Sequence, residues 1–316
     1  MDTRTTIPVA LGIAPEEITQ VTSSRGGRVY EVLVVNPYPV DIGDEFTVHN
    51  VPSVTSVVDS TVRNFGLEIW KDQHIQRGLL AAQNKVLTPE LIASIRDSAN
   101  EESSRSADVG SELHNIIDLL LRGEEAVVSP QLEPAVRVFN RWMNSHNWEY
   151  VGSEVAVYQI HSDGVLGYAG TIDALFKDSW GDYIVCDWKT NKNPKSGSGI
   201  YMSNMIQAGA YVGALQEMLN SSVNSGNTNG THFIADDDRT VPALARGMVV
   251  RFCNYYPLGD DGKEDRSQRK IFEDKLECAE VDSELWFKAF VTTYALYLTQ
   301  KSYKEHSTGS EWSGKD

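Results

Sequence analysis

The sequence predicts an α/β fold with a mixed central sheet flanked by helices, preceded by an N-terminal β-hairpin and a helical segment. Downstream of residue 110, patterns of helical and strand period follow one another as helix, three strands, helix and strand, the order of an α/β core. Upstream, residues 28–58 alternate apolar and polar side chains, whereas residues 56–98 carry apolar side chains at helical spacing. We therefore divide the chain into a strand and hairpin extension at 1–50, a helical segment at 51–109, an α/β core at 110–303 and a flexible tail at 304–316.

Composition and charge limit the classes of protein that the chain can represent. It has 316 residues, of which 41% are hydrophobic, enough for one large or two modest domains. No window approaches the roughly 20 apolar residues of a membrane span, and residues 1–8 lack the pattern of a secretory signal, so we expect a cytoplasmic protein without a membrane partner. The net charge of −16 disfavours non-specific adhesion to nucleic acid, but it allows a narrow basic groove or carboxylates neutralised by metal ions.

The elements before residue 146 follow from apolar periodicity and breakers. A hairpin is predicted at 28–58, interrupted by prolines and glycine at 36–44. Two or three helices are predicted at 56–98, with one break at Thr88-Pro89. A further helix is predicted at 111–122, because its apolar residues recur at i, i+3, i+4, i+7 and i+8 before Gly123. Another helical stretch follows at 131–145.

Three strand-like runs follow, at 151–160, 168–176 and 183–190. The connections between them are short and rich in turn residues, which favours an antiparallel meander. After it we expect a helix at 203–219, a strand at 247–254 and a last helix at 283–301. Residues 220–238 and 304–316 are predicted to be mobile, because Asn, Ser, Gly and Asp leave little there to bury.

The most informative residues for function are two carboxylates and a lysine on adjacent strands. Alternation along the strand at 183–190 places Asp187 and Lys189 on one face and apolar residues on the other. Asp173, on the preceding strand, can share that face. Two neighbouring carboxylates repel each other unless a cation lies between them, and oxygen ligands suit Mg²⁺ or Mn²⁺. Lys189 could then orient a water nucleophile or stabilise developing charge. The alternative is a solvated strand face with a salt bridge worth about 0–1 kcal/mol.

Other candidates each have a structural alternative. Gln207 and Tyr211 lie on the same line of a helix, where the amide either is a buried structural group or reaches the substrate phosphate or Lys189. His114 is either a structural residue at the border of the core or a metal ligand. Glu154 is either an exposed charge or an additional carboxylate for metal or water.

A local basic loop follows the strand that carries Asp187. It contains Lys189, Lys192 and Lys195 in a chain that is acidic elsewhere. The loop either is a solvated turn or contacts a phosphate backbone.

Taken in order, five motifs resemble the RecB-like branch of the PD-(D/E)XK nucleases. They are Gly110-Ser111-Glu112-Leu113-His114, Glu154, Gly170-Thr171-Ile172-Asp173, Asp187-Trp188-Lys189-Thr190 and Gln207-Ala208-Gly209-Ala210-Tyr211. The segment at 51–58, together with Trp70-Lys71, is similar within that branch to the mitochondrial genome maintenance exonuclease and its bacteriophage relatives. The resemblance covers roughly residues 45–300 and is carried by motif order rather than by any one motif.

This resemblance implies a restriction-endonuclease-like fold and assigns roles to the candidate residues. His114, Asp173, Asp187 and the main-chain carbonyl of Trp188 would bind one or two Mg²⁺ or Mn²⁺ ions, with Lys189 as the catalytic lysine. Glu154 would add a catalytic carboxylate, and Gln207 and Tyr211 would hold the site and contact DNA. Apart from the resemblance, the position of Lys192 and Lys195 beside the metal site favours contact of these lysines with the DNA backbone. The helices of the 51–109 segment would form an arch that admits a single strand.

Two features depart from relatives in the same superfamily. The superfamily motif has a proline before the first aspartate, whereas Ile172 precedes Asp173 here. The absence of this proline is frequent among RecB-like members. The chain has three scattered cysteines, too few for the four-thiolate iron–sulfur cluster of the cysteine-rich members. We therefore expect no iron–sulfur cluster.

The resulting expectation is a metal-dependent DNA exonuclease acting on single-stranded ends. Its role would lie in DNA replication, recombination or repair. A bacteriophage is one possible source, and the protein would then act in the host cytoplasm. Two alternatives share the motifs: a structure-specific flap endonuclease, and a catalytically silent nucleic-acid-binding protein that has kept the fold. No motif indicates a protein partner.

Overall fold

An antiparallel sheet formed by the N-terminal strands precedes the main body of the molecule. The computed structural model describes residues 4–6, 17–22, 28–35, 46–160, 167–190, 200–224, 231–234, 239–253 and 276–307. The first strands are β1 (Arg4–Thr6), β2 (Glu17–Thr22), β3 (Arg28–Val35) and β4 (Phe46–Pro52), and they lie side by side in that order. The antiparallel pairing of β3 with β4, which sets Tyr30 opposite Val51, confirms the predicted hairpin.

The remaining strands follow along the chain. They are β5 (Glu149–Ile160), β6 (Gly167–Lys177), β7 (Tyr183–Thr190), β8 (Thr231–Ile234), β9 (Arg239–Pro242), β10 (Ala245–Phe252) and β11 (Leu276–Val281). The central sheet has the order β11-β10-β7-β6-β5. β5, β6 and β7 pair antiparallel, as the predicted meander requires, whereas β10 runs parallel to β7. This mixed sheet confirms the predicted fold class.

Helices cover both faces of the central sheet. They are α1 (Val54–Thr61), α2 (Phe65–Ala81), α3 (Pro89–Leu121), α4 (Glu133–Met143), α5 (Met202–Asn224) and α6 (Ser283–Ser307). On one face α3 and α4 pack with Trp188, burying Leu113 completely. On the other face α1, α5 and α6 enclose a second cluster that includes Leu215 and Phe290. Each such side chain stabilises the fold by about 1.5–3 kcal/mol through its removal from water.

The prediction of a separate helix beginning at residue 111 is wrong, because α3 runs without interruption for 33 residues. Thr88 caps its start by accepting a hydrogen bond from the Leu91 amide at 3.3 Å, and Pro89 occupies the first turn. Residues 100–108 lack an apolar stripe and are mostly exposed. They are nevertheless helical, and polar contacts from α2 hold this part of the helix, among them His74 Nδ1 at 3.2 Å from Glu102.

The prediction that the two polar segments are mobile is partly wrong as well. Of the stretch at 220–238 that was expected to be mobile, residues 220–224 belong to α5 and residues 231–234 form β8, which pairs antiparallel with β9 just beyond that stretch. The last helix continues to Ser307, so residues 304–307 of the expected tail are helical. Within the described residues, none of the helices combines the length and the apolar character that crossing a membrane requires.

Candidate active site

Strands β6 and β7 separate at the position of the two sequence-predicted aspartates. Their last main-chain pair is Ala174 with Cys186, so the next pair in register would be Asp173 with Asp187. Instead, the Trp188 amide donates a 2.7 Å hydrogen bond to Oδ2 of Asp173. β7 stays paired with β10 as far as Thr190. The two carboxylates therefore lie side by side where the sheet forks, and we call this point the fork.

Asp187 is buried and directly paired with Lys189. Asp187 is only 1% exposed. The Lys189 ammonium donates a hydrogen bond to its Oδ1 at 2.8 Å and lies 2.7 Å from its Oδ2. Oδ2 accepts no hydrogen bond of good geometry. A solvated strand face is thus the wrong description of Asp187. The pair also shows that the carboxylate and the amine project to the same face, as strand alternation predicts.

The charged groups at the fork shift one another's pKa values. Burial raises the pKa of Asp187, and Asp173 raises it further, while Lys189 offsets part of the effect. Burial also raises the pKa of Asp173. For Lys189, burial alone would lower the pKa, but the two carboxylates and the hydrogen bond to Asp187 outweigh it, so its pKa is raised. The lysine is therefore a permanent cation beside two carboxylates that are reluctant to ionise together.

The end of α3 brings His114 to the fork. A Cβ on Gly110 would lie 2.8 Å from Oγ1 of Thr190, so glycine lets the helix approach the end of β7 closely. One turn later, His114 Nδ1 lies 3.7 Å from Oδ1 of Asp173, and the ring hydrogen-bonds the main chain of Trp188. Burial, followed by the charge of Lys189, lowers the pKa of His114 to about 4. The imidazole is therefore neutral at pH 7, the form that binds metals.

Glu154 reaches the fork through an unusual backbone conformation. It has a φ of 52°, the left-handed region, although it is a non-glycine residue inside β5, and such residues cost about 1–3 kcal/mol. Partial burial raises its pKa to about 7, with smaller contributions from Asp173 and from Asp118 on α3. Strained backbones persist where surrounding structure enforces them, and they cluster at functional sites. Here the strain accompanies a carboxyl group held near two other carboxylates.

Helix α5 covers the same side of the fork. Gln207 donates a 2.8 Å hydrogen bond from Nε2 to the hydroxyl of Tyr211, and the tyrosine is only 3% exposed. A Cβ on Gly170 would lie 2.4 Å from Cε1 of Tyr211, so the glycine of the Gly170-Thr171-Ile172-Asp173 motif provides the space for this ring. Burial, and then Asp187, raise the pKa of Tyr211. The Gln207 amide therefore has the partner that a buried polar group requires.

The part of the chain that carries the fork matches the model of a known protein family. The model that describes the PD-(D/E)XK nuclease superfamily matches residues 87–296, the stretch that carries all the residues of the fork and of α5. The chain belongs to this superfamily. Its members act on nucleic acids and generally use divalent metal ions such as Mg²⁺.

Other comparisons add little. A search of curated proteins gave no match. Among solved structures, a crystal structure of SSO0001 is 14% identical over 81% of this chain and 79% of its own, with a TM-score of 0.32. At that TM-score the likeness carries no argument about this nuclease.

The donor set at the fork fits the divalent ion that PD-(D/E)XK nucleases use. It offers two carboxylates and a neutral imidazole, and Oδ2 of the buried Asp187 has the Lys189 ammonium at 2.7 Å but no hydrogen bond of good geometry. Within the described ranges, no group of three or more His, Cys, Asp or Glu side chains is placed to hold a metal ion as the structure stands. Lys189 supplies the positive charge next to Asp187. Further ligands would come from main-chain oxygen and water, as is usual for Mg²⁺.

Sequence patterns missed several groups at the fork. Asp118 follows His114 by one helical turn, so helical spacing could have indicated it. Asp59, on α1, has its pKa raised by burial and is within the field of Lys189. Nothing in the local pattern relates α1 to the fork, because the two meet only through the fold. Lys192 and Lys195 lie outside the described residues.

Proposed function

We propose that this PD-(D/E)XK nuclease is a metal-dependent DNA exonuclease that hydrolyses phosphodiester bonds at single-stranded ends. We place it in the RecB-like branch, with the mitochondrial genome maintenance exonuclease and its bacteriophage relatives, acting in DNA replication, recombination or repair in the cytoplasm. The observation that carries the proposal is the fork, where Asp173 and the buried Asp187 lie side by side with Lys189 paired to one of them. A structural salt bridge alone would not need the second carboxylate there.

The roles of the residues follow from their chemistry. Mg²⁺ or Mn²⁺, held by Asp173, Asp187, His114 and the Trp188 carbonyl, would polarise the phosphodiester and lower the pKa of a bound water. The Lys189 ammonium orients the attacking water and stabilises charge that develops on the phosphate. Glu154, whose pKa is about 7, can accept a proton near neutral pH.

Two helices support a preference for single strands. α2 buries none of its residues and is attached to α3 by His74, whose Nδ1 lies 3.2 Å from Glu102 and whose Nε2 lies 3.1 Å from Ser98. α2 begins beside Tyr201, just before α5, and the C-terminal part of α3 carries His114 at the fork. A helical hairpin that starts and finishes next to the site is suited to act as an arch over a threaded strand.

The test is a cleavage assay on single-stranded DNA labelled separately at its 5′ and 3′ ends, beside a circular strand of the same sequence. The proposal predicts that linear strands are degraded with Mg²⁺ or Mn²⁺ and remain intact with chelator, while circles persist. The order in which the two labels are released gives the polarity.

Two other results would contradict the proposal in different ways. Cleavage of the circle would identify an endonuclease of the same fold. Tight binding to DNA without any metal-dependent product would identify a catalytically silent nucleic-acid-binding protein.

A further inference from the structure

The N-terminal sheet is fixed against the central sheet next to the fork. Ser53, directly after β4, forms a parallel bridge with Ala169 on β6. The hydroxyl of Tyr30, on β3, lies 2.8 Å from Oγ1 of Thr171 on β6, and the tyrosine is 3% exposed. Thr171 is two residues before Asp173 and therefore on the same face of its strand. The N-terminal sheet thus borders the part of β6 from which β7 has separated.

Arg28 occupies the site-facing side of this sheet. It precedes Tyr30 by two residues on β3, so the two side chains project to the same face. Its main-chain oxygen accepts hydrogen bonds from the Ser53 amide at 3.3 Å and the Ser56 hydroxyl at 3.2 Å. The backbone at Arg28 is therefore held in place, whereas its side chain is exposed.

The charge of Arg28 has no ion-pair partner among the described residues. It forms no ion pair with a carboxylate in the described part of the chain, whereas Arg122 is paired with Asp118 at 2.7 Å and Lys189 with Asp187. Its positive charge lowers the pKa of Glu154 and of Asp59, which places it within the field of the acidic site. An exposed guanidinium that is fixed at its base, and unpaired among the described residues, is suited to bind an anion.

The substrate supplies that anion. A nucleic-acid strand must bring its phosphates to a group of carboxylates on a chain whose net charge is −16, and repulsion opposes this approach. We infer that Arg28 binds a backbone phosphate of the nucleic-acid strand beside the scissile bond, so that the N-terminal sheet forms one wall of the substrate channel. This inference rests on the proposed function.

The experiment measures binding of fluorescein-labelled oligo-dT to the full chain by anisotropy, with Mg²⁺ present and Lys189→Ala as the background that prevents turnover. Arg28→Ala is expected to weaken binding about 10-fold, the effect of one charge-assisted contact. The slope of log K against log salt should become shallower by about 0.7, the value for one phosphate of a single strand. Arg28→Lys should keep the slope and lose part of the affinity, because its ammonium lacks the planar fork.

Arg137→Ala is the matched control, since Arg137 is an exposed arginine on α4, across the central sheet. Unchanged affinity and slope in both Arg28 variants would overturn the inference while leaving the nuclease proposal intact. Weakened binding in Arg28→Ala, with no cleavage by the wild-type chain, would support the phosphate contact and reject the nuclease. If neither wild type nor the Lys189→Ala background binds the oligonucleotide, both the Arg28 inference and the nuclease proposal are overturned.

Discussion

Individual residues at the fork are held in protonation states that suit metal binding. His114 is neutral at pH 7 because burial lowers its pKa to about 4. Glu154 has the opposite shift, since partial burial and neighbouring carboxylates raise its pKa to about 7. Carboxylates that ionise reluctantly in a free site do so readily when a cation neutralises them.

The shift at Glu154 predicts a pH-dependent stability difference between wild type and Glu154→Gln in chelator. The folded chain disfavours the ionised carboxyl, so its contribution is fully favourable below its ordinary pKa and is lost as the pH rises through about 7. Glutamine does not ionise. Between pH 5 and 8, the free energy of unfolding of Glu154→Gln should therefore rise relative to that of wild type. The change should be on the order of 1 kcal/mol, because solvent screens this exposed group.

Chemical denaturation at several pH values measures this difference. Glu284→Gln, on the exposed surface of α6, is the matched substitution measured beside it. A Glu154→Gln difference that stays constant across the range would contradict the assigned shift.

At the scale of elements, the site depends on how closely α3 and α5 approach the strands. Gly110 lets α3 reach Thr190 so that His114 meets the fork, and Gly170 makes room for the Tyr211 ring. Both glycines lie in motifs that the sequence analysis identified. Their structural purpose is close approach rather than chemistry.

Gly170→Ala is predicted to destabilise the fold by about 1–3 kcal/mol, because its Cβ would lie 2.4 Å from Cε1 of Tyr211. In a Tyr211→Ala background the same change should cost less than about 1 kcal/mol, since the obstructing ring is gone. Denaturant unfolding of the four chains in this cycle measures the coupling. Equal costs in both backgrounds would show that Tyr211 is not the obstructing group.

Sequence patterns predicted the strands of the fork well, because alternation is a local property. Asp187, Lys189 and the apolar face that carries Trp188 all follow from the two-residue period of β7. The continuity of α3 could not be predicted in this way, since residues 100–108 pack on little and show no stripe. The strain at Glu154 and the contact between Tyr30 and Thr171 depend on tertiary structure, which no local pattern encodes.

At the scale of the whole molecule, the site is assembled from distant parts of the chain. Tyr30 from the N-terminal sheet, Asp59 from α1 and His114 from α3 meet strands that follow much later in the sequence. A cation bound by His114 and the two aspartates would therefore link α3 to the central sheet. Ligands that bind only the folded chain stabilise it by mass action.

We predict that 10 mM Mg²⁺, on the order of a typical assay concentration, raises the Tm of the wild-type chain by about 2 °C or more. The rise should disappear in Asp187→Asn, which removes a ligand charge. Sodium chloride of matched ionic strength is the control for general screening. An equal rise in Asp187→Asn would place the stabilising ion elsewhere.

The most direct test of the central claim, that the fork hydrolyses phosphodiester bonds, is single-turnover cleavage of linear single-stranded DNA. The assay compares wild type, Lys189→Ala and the exposed-surface control Lys288→Ala, with Mg²⁺ or chelator, after circular dichroism has verified folding. We predict that wild type and Lys288→Ala cleave only with Mg²⁺, and that Lys189→Ala is slower by roughly 10²-fold or more. A folded Lys189→Ala that cleaves at the wild-type rate would contradict the claim.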